Sequence, residues 1–192
     1  MTIRIPGNWK KGFAHDIHTL DSVYLGVDEY GHDRWENTRS EMGELLYDLK
    51  YHGRSENVEK IVDMLNRYKG IEEMDAIVPV PSTNKNRRIQ PVLEIAKELG
   101  RRAVVPVLED FLLKRSGGPE LKNVDDPQER KRLLKNSLYL SYGYDVTGKN
   151  VLLIDDLYRS GATLSVATEM LYKKAGVEDV FVLTMTKTRN NR

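Results

Sequence analysis

The stretch Val151-Leu152-Leu153-Ile154-Asp155-Asp156-Leu157-Tyr158-Arg159-Ser160-Gly161-Ala162-Thr163-Leu164 leaves few folds open to this chain. Four consecutive aliphatic residues suit a strand buried on both faces. Such strands belong to parallel sheets, whose ligands collect beyond the carboxyl ends of the strands. Asp155 and Asp156 are then expected at that edge. Ser160 to Thr163 are small enough to let backbone N–H groups approach an anion, and Leu164, Ala167, Met170 and Leu171 repeat at helical spacing. A helix therefore opens at the loop, and its N-terminal dipole, with the Ser160 and Thr163 hydroxyls, favours a phosphate there.

The remainder of the chain alternates in a way that supplies such a sheet. Residues 1–37, rich in Gly, His, Asp and aromatics, read as a cap of loops and short strands, and residues 38–192 as the α/β domain, together one globular unit. His15 and His18 have a spacing that could hold a metal, but without further ligands they read as surface or cap histidines. Thr38-Arg39-Ser40-Glu41 has the form of a capping box before Met42, Leu45, Leu46 and Leu49, and a second amphipathic helix is expected from Ser55 to Tyr68. Asp75 to Pro81 reads as a buried strand. It leads into Ser82-Thr83-Asn84-Lys85-Asn86-Arg87-Arg88, a concentration of hydroxyl, amide and cationic donors suited to a pyrophosphate. A helix from Gln90 to Leu99 closed by Gly100 follows, then strands over 103–107 and 108–114.

Residues 116–125 are turn-forming and make the best lid candidate. Asp126-Pro127-Gln128-Glu129 reads as a helix start, with a strand at Ser137–Ser141 beyond it. Gly143 to Asn150 nearly spells the G-x-x-x-x-G-K-[ST] phosphate loop. However, Asn150 replaces the required hydroxyl and the segment leads into a strand where a helix is needed, so a hairpin-like turn is expected. Val180 to Thr186 supplies a final buried strand.

Charge and composition remove several function classes. The formal net charge is +1 with 31% charged residues, so the field that general nucleic-acid binding needs is absent. There is no cysteine, which excludes a disulfide framework and a Cys-based zinc site and suits a reducing cytoplasm. No run approaches the roughly 18 apolar residues of a membrane span.

The segment 151–164 resembles the 5-phosphoribosyl-1-pyrophosphate (PRPP) signature of type I phosphoribosyltransferases: four apolar residues, two acids, two variable positions, then a hydroxylic and small-residue loop. Val78-Pro79-Val80-Pro81 with Lys85, Arg87 and Arg88, together with Leu49-Lys50-Tyr51 before Gly53-Arg54, is similar to the ComF-like, competence-associated group of that family. The resemblance implies an open, mostly parallel α/β sheet preceded by helices and a small cap or hood. It implies a transferase that binds PRPP and Mg2+ and lets a nitrogen nucleophile of a small-molecule acceptor displace pyrophosphate.

In that reading Asp155 and Asp156 hold the ribose hydroxyls and meet the metal indirectly, through ribose or water. Arg159, Ser160, Gly161, Ala162 and Thr163 wrap the 5-phosphate. Ser82, Thr83, Asn84 and Lys85 receive pyrophosphate, and Lys122, counted with Asp155 and Asp156 as catalytic, joins Arg130 and Arg132 as pyrophosphate or lid contacts. Homodimers are common in the family. Arg159 stands where several purine-salvage members carry an aspartate, which argues against a purine-salvage acceptor. Two further readings use the same loop: a PRPP- or nucleotide-sensing regulator without turnover, and an effector of a bacterial competence or phage-defence locus.

Overall fold

Strands buried on both faces build the centre of the molecule, and amphipathic helices cover them. The computed structural model describes residues 2–82, 84, 87–115 and 126–189, with only the backbone of residues 127 and 130. In chain order these form β1 (Ile3–Arg4), β2 (Lys11–Ile17), β3 (Thr19–Val27), β4 (Asp33–Arg39) and α1 (Glu41–Tyr47), then a π-helical turn (Asp48–His52) and α2 (Asn57–Leu65). After a 3-10 turn (Ile71–Glu73) come β5 (Ala76–Pro79), α3 (Pro91–Ala103), β6 (Leu112–Lys114), α4 (Pro127–Ser137), β7 (Leu138–Leu140), β8 (Asn150–Tyr158), α5 (Ala162–Ala175) and β9 (Asp179–Lys187).

The central sheet has the order β1-β2-β9-β8-β5. β2, β9, β8 and β5 run parallel, and β1 is an antiparallel edge. The fold is thus an open α/β sheet, mostly parallel, as the aliphatic runs require. Alternation along the strands divides the core in two. Val151, Leu153, Val180 and Val182 pack with Leu164, Ala167 and Leu171 of α5 on one face. Leu152, Ile154, Leu183 and Met185 pack with α1, α2 and α3 on the other. Burying a side chain of this kind stabilises the fold by about 1.5–3 kcal/mol, so the two layers supply most of the cohesion.

Several boundaries differ from the sequence reading. The segment 1–37 does not form one cap: β1 and β2 enter the central sheet, while β3 and β4 pair separately as a hairpin. The strand β2 is nearly continuous in burial, and the polar residues around it masked that in sequence. His15 is accordingly buried at 1% exposure, packed against Tyr68 rather than lying at the surface.

The helix cap is Ser40, whose hydroxyl accepts from the Gly43 amide at 3.1 Å, because Thr38 and Arg39 are still paired in β4. Helix α3 runs through Gly100 to Ala103 instead of ending there. Gly100 serves packing: a Cβ at this position would lie 2.4 Å from Val107 Cγ2 and 2.7 Å from the Val105 carbonyl oxygen. The returning chain presses on the helix there and makes a single parallel bridge, Val107 to Ile77, where a longer strand was expected. The α4 start agrees with expectation, since Asp126 accepts from the Gln128 and Glu129 amides at 3.1 and 3.2 Å.

Candidate functional site

The site arises where two neighbouring strands part. β5 pairs with β8 only as far as Pro79 opposite Ile154, with one more bond from the Val80 amide to the Ile154 carbonyl at 2.9 Å. β8 continues beside β9 through Tyr158, where Asp155 pairs with Thr184 and Leu157 with Thr186. The acids therefore sit within β8 and not at its end, and the β5 side beyond Ile154 is open. A cavity of about 790 Å³ fills the gap. Asp155, Asp156 and Thr163 border it, facing Ser82, Asn84 and Arg87 from the loop after β5, with Lys50 and Lys114 reaching in from either side.

Successive residues of a strand point to opposite faces, and this separates the chemistry of the two acids. Asp156 lies on the face covered by α1, α2 and α3, where its Oδ2 is 3.0 Å from Lys50 Nζ. Asp155 lies towards β6. Its Oδ1 accepts from the Asp156 amide at 2.8 Å. Burial, reinforced by the Asp156 charge, holds its carboxyl well above the usual carboxylate range, although Lys50 and Lys114 act in the opposite sense. Burial also lowers the Lys114 ammonium from its ordinary value, opposed by the Asp155 charge.

A second layer fixes the strand itself. Thr186 Oγ1 donates to the Asp156 carbonyl at 3.1 Å and lies 3.1 Å from His18 Nδ1. Burial depresses the His18 imidazole, so a neutral ring beside Thr186 is favoured.

The loop after β8 is shaped by Tyr158 and Gly161. Tyr158 is buried, donates its hydroxyl to the Pro6 carbonyl at 3.1 Å and meets Trp9 edge-on, with ring centroids 6.3 Å apart. Gly161 takes φ of 72° at the cap of α5, and a Cβ there would stand 2.7 Å from Tyr158 Cε2. No side chain caps the helix among the described residues, and its first-turn amides have no intrahelical acceptor. Arg159 and Ser160 are exposed, Ala162 and Thr163 partly buried and Gly161 buried. The loop thus places an uncapped helix N-terminus, whose dipole favours an anion, beside the acid pair.

Among the other residues singled out in sequence, Ser82 and Asn84 do border the cavity. The Ser82 hydroxyl donates to the Asn84 carbonyl at 3.3 Å, and Gln90 Nε2 donates to the same carbonyl at 3.1 Å. Arg132 pairs with Glu129 at 2.7 Å on the exposed side of α4 and does not line the cavity. Thr83, Lys85 and Lys122, the lid segment 116–125 and the side chain of Arg130 lie outside the described residues.

Sequence reasoning missed two cations as site residues. Lys50 carried a signal in the Leu49-Lys50-Tyr51 pattern. Lys114 carried none, because a lone lysine ending a three-residue strand looks like any solvated charge.

No protein-family model matches the chain. Over 55 residues it is 44% identical to a ribose-phosphate pyrophosphokinase of Pyrococcus furiosus, a match covering 28% of this chain and 19% of that enzyme. The chain therefore matches only about a fifth of that relative's length.

Among solved structures it is similar to a hypoxanthine phosphoribosyltransferase from Staphylococcus aureus, with TM-score 0.44, 20% identity and coverage of 72% of this chain and 67% of that one. An adenine phosphoribosyltransferase from Thermoanaerobacter pseudethanolicus gives 0.46, 15%, 79% and 88% for the same quantities. An orotate phosphoribosyltransferase from Aeropyrum pernix gives 0.46, 16%, 85% and 75%. These scores are modest, and the assignment of the site rests on its own geometry.

Proposed function

We propose that the chain binds PRPP and transfers its phosphoribosyl group to a nitrogen nucleophile of a small-molecule acceptor, within the ComF-like group of type I phosphoribosyltransferases. The observation that carries this reading is the parting of β5 from β8 after Ile154. It leaves the acid pair, Thr163 at the start of α5, and Ser82, Asn84 and Arg87 facing one cavity. The local match to an enzyme named for ribose phosphate and pyrophosphoryl chemistry supports the same substrate class.

The residues present fit Mg2+ only in one manner. Among the described residues no three His, Cys, Asp or Glu side chains gather, which rules against a cage built by these residues alone. Two carboxylates beside a phosphate site suit an ion that keeps its waters and is completed by substrate oxygens. When bound, Mg2+ would supply neutralisation of the pyrophosphate charge. Asp155 and Asp156 would hold it through ribose hydroxyls or water.

The chain's own part is to position and to balance charge. The amides and hydroxyls of Arg159 to Thr163 fix the 5-phosphate, and Asp155 and Asp156 orient the ribose. The C1–O bond to pyrophosphate then breaks, and the electron pair leaves on pyrophosphate. Ser82, Thr83, Asn84, Lys85 and Arg87 receive the departing group, with Lys122 as a further cationic contact. The acceptor nitrogen forms the new bond to C1 and releases its proton to solvent. We propose a homodimer as the assembly.

Titration calorimetry with PRPP and Mg2+, followed by a pyrophosphate-release screen over bases and nucleosides, tests the reading. Binding with release for one acceptor supports it, and binding without release for any acceptor favours a sensor. No PRPP binding at millimolar concentration would overturn it.

A further inference from the structure

The pairing of Lys50 with Asp156 has features of a built device. The two residues are 106 positions apart, and both side chains are about three-quarters buried, at 27% and 24% exposure. Lys50 is delivered by a π-helical turn, a rare geometry that recurs at functional positions.

That turn is stapled. Asp48 Oδ1 is 2.8 Å from His52 Nδ1, and Asp48 Oδ2 is 3.0 Å from Arg54. Gly53 ends the turn at φ of 68°, a left-handed conformation that side-chain-bearing residues rarely adopt. The staple fixes where the lysine stem emerges. Its ammonium meets the one acid of the pair on the face covered by α1, α2 and α3.

We propose that Lys50 is the site's resident counter-cation: in the ligand-free protein its ammonium takes the place at Asp156 that a divalent cation would otherwise occupy, and substrate arrival exchanges the one for the other. This deepens the proposed function and rests on it for its biological meaning, although its test does not. An acid pair without a counter-charge would repel a polyanionic sugar phosphate and would attract free divalent ions in the absence of substrate. With Lys50 in place the Asp156 charge is balanced. A partly buried carboxylate stripped of its partner is left uncompensated, so removing Lys50 should let Asp156 attract a free hydrated metal ion through its waters.

The test uses Mn2+ alone, followed by electron paramagnetic resonance and calorimetry, on the full chain. Lys50→Met should bind Mn2+ at least about tenfold more tightly than the unsubstituted protein. Lys50→Gln should do the same and provides a second variant if the methionine form fails to fold. Lys50→Arg should behave like the unsubstituted protein, and adding Asp156→Asn to Lys50→Met should abolish the gain.

Equal Mn2+ affinity in the unsubstituted and Lys50→Met proteins would overturn the inference, as would a gain that survives Asp156→Asn. A parallel PRPP titration separates the two ideas. The function reading fails if the unsubstituted protein binds no PRPP, while the Mn2+ comparison still decides the role of Lys50.

Discussion

The ring of Tyr158 occupies the space that a side chain on Gly161 would need, with Cε2 2.7 Å from the position of a Cβ. Gly161 also holds φ of 72°, where a side chain costs about 1–2 kcal/mol. Gly161→Ala should therefore lower unfolding stability by about 2 kcal/mol, counting the displaced ring. It should also weaken PRPP binding, since the loop must shift. Urea unfolding and calorimetry on the same preparation check both effects, and an alanine variant with unchanged stability would show that the close approach is not enforced.

Asp155→Asn should divide stability from binding. Because the folded state holds this carboxyl well above its ordinary value, the folded protein binds more protons than the unfolded chain. The associated stability is complete below about pH 4 and is lost as pH rises through the folded value. Removing the charge should raise stability at pH 8 by about 1 kcal/mol, while PRPP affinity falls at least about tenfold. Denaturation midpoints at pH 8 and pH 5 test this, and the variant's gain should be larger at pH 8.

His15 supplies a linkage of opposite sign. Burial, with the Arg67 charge as the next cause, lowers its pKa to about 4, and its Nδ1 has no protein partner among the described residues. The folded state excludes the proton that the unfolded chain accepts near pH 6.5, so stability is complete above that value and declines as pH falls towards 4. Between pH 7 and pH 5 the loss should be about 2 kcal/mol. His15→Phe should flatten the decline in a urea series, and an unchanged slope would exclude His15 as its source.

Gly100→Ala tests packing against propensity. Alanine should favour the helix by about 1 kcal/mol, yet its Cβ would meet Val107 Cγ2 at 2.4 Å and the Val105 carbonyl oxygen at 2.7 Å. Overpacking of this kind costs about 1–3 kcal/mol, and one obstacle is backbone that cannot step aside. A net fall in the thermal midpoint is expected, and a rise would mean that the 105–107 segment yields freely.

Local order along the chain was legible where each residue's own pattern decided it. The aliphatic run before Asp155 specified a strand buried on both faces, the repeat after Thr163 specified α5, and Asp126-Pro127 specified the start of α4. The turn that opens α5 was legible for the same reason, since small residues between a strand and a helix permit few other arrangements. Pattern misled where neighbours distant in sequence set the outcome. Gly100 read as a stop because a glycine at a helix end usually is one, and only the pressure of residues 105–107 reveals its use. The segment containing His15 read as a cap because its polar residues hid a strand whose burial comes from β9.

By itself, then, the sequence determined an α/β sheet, a glycine-opened loop before α5 and two acids beside it, because those follow from periodicity and side-chain size within about a dozen residues. Tertiary structure alone decided that the acids lie inside β8 with one directed to each face, that β5 parts from β8 after Ile154 to open the cavity, and that Lys50 pairs with Asp156. These are matters of strand register and of contacts across about a hundred residues. Pairing energy between distant segments settles them, and no local pattern records it.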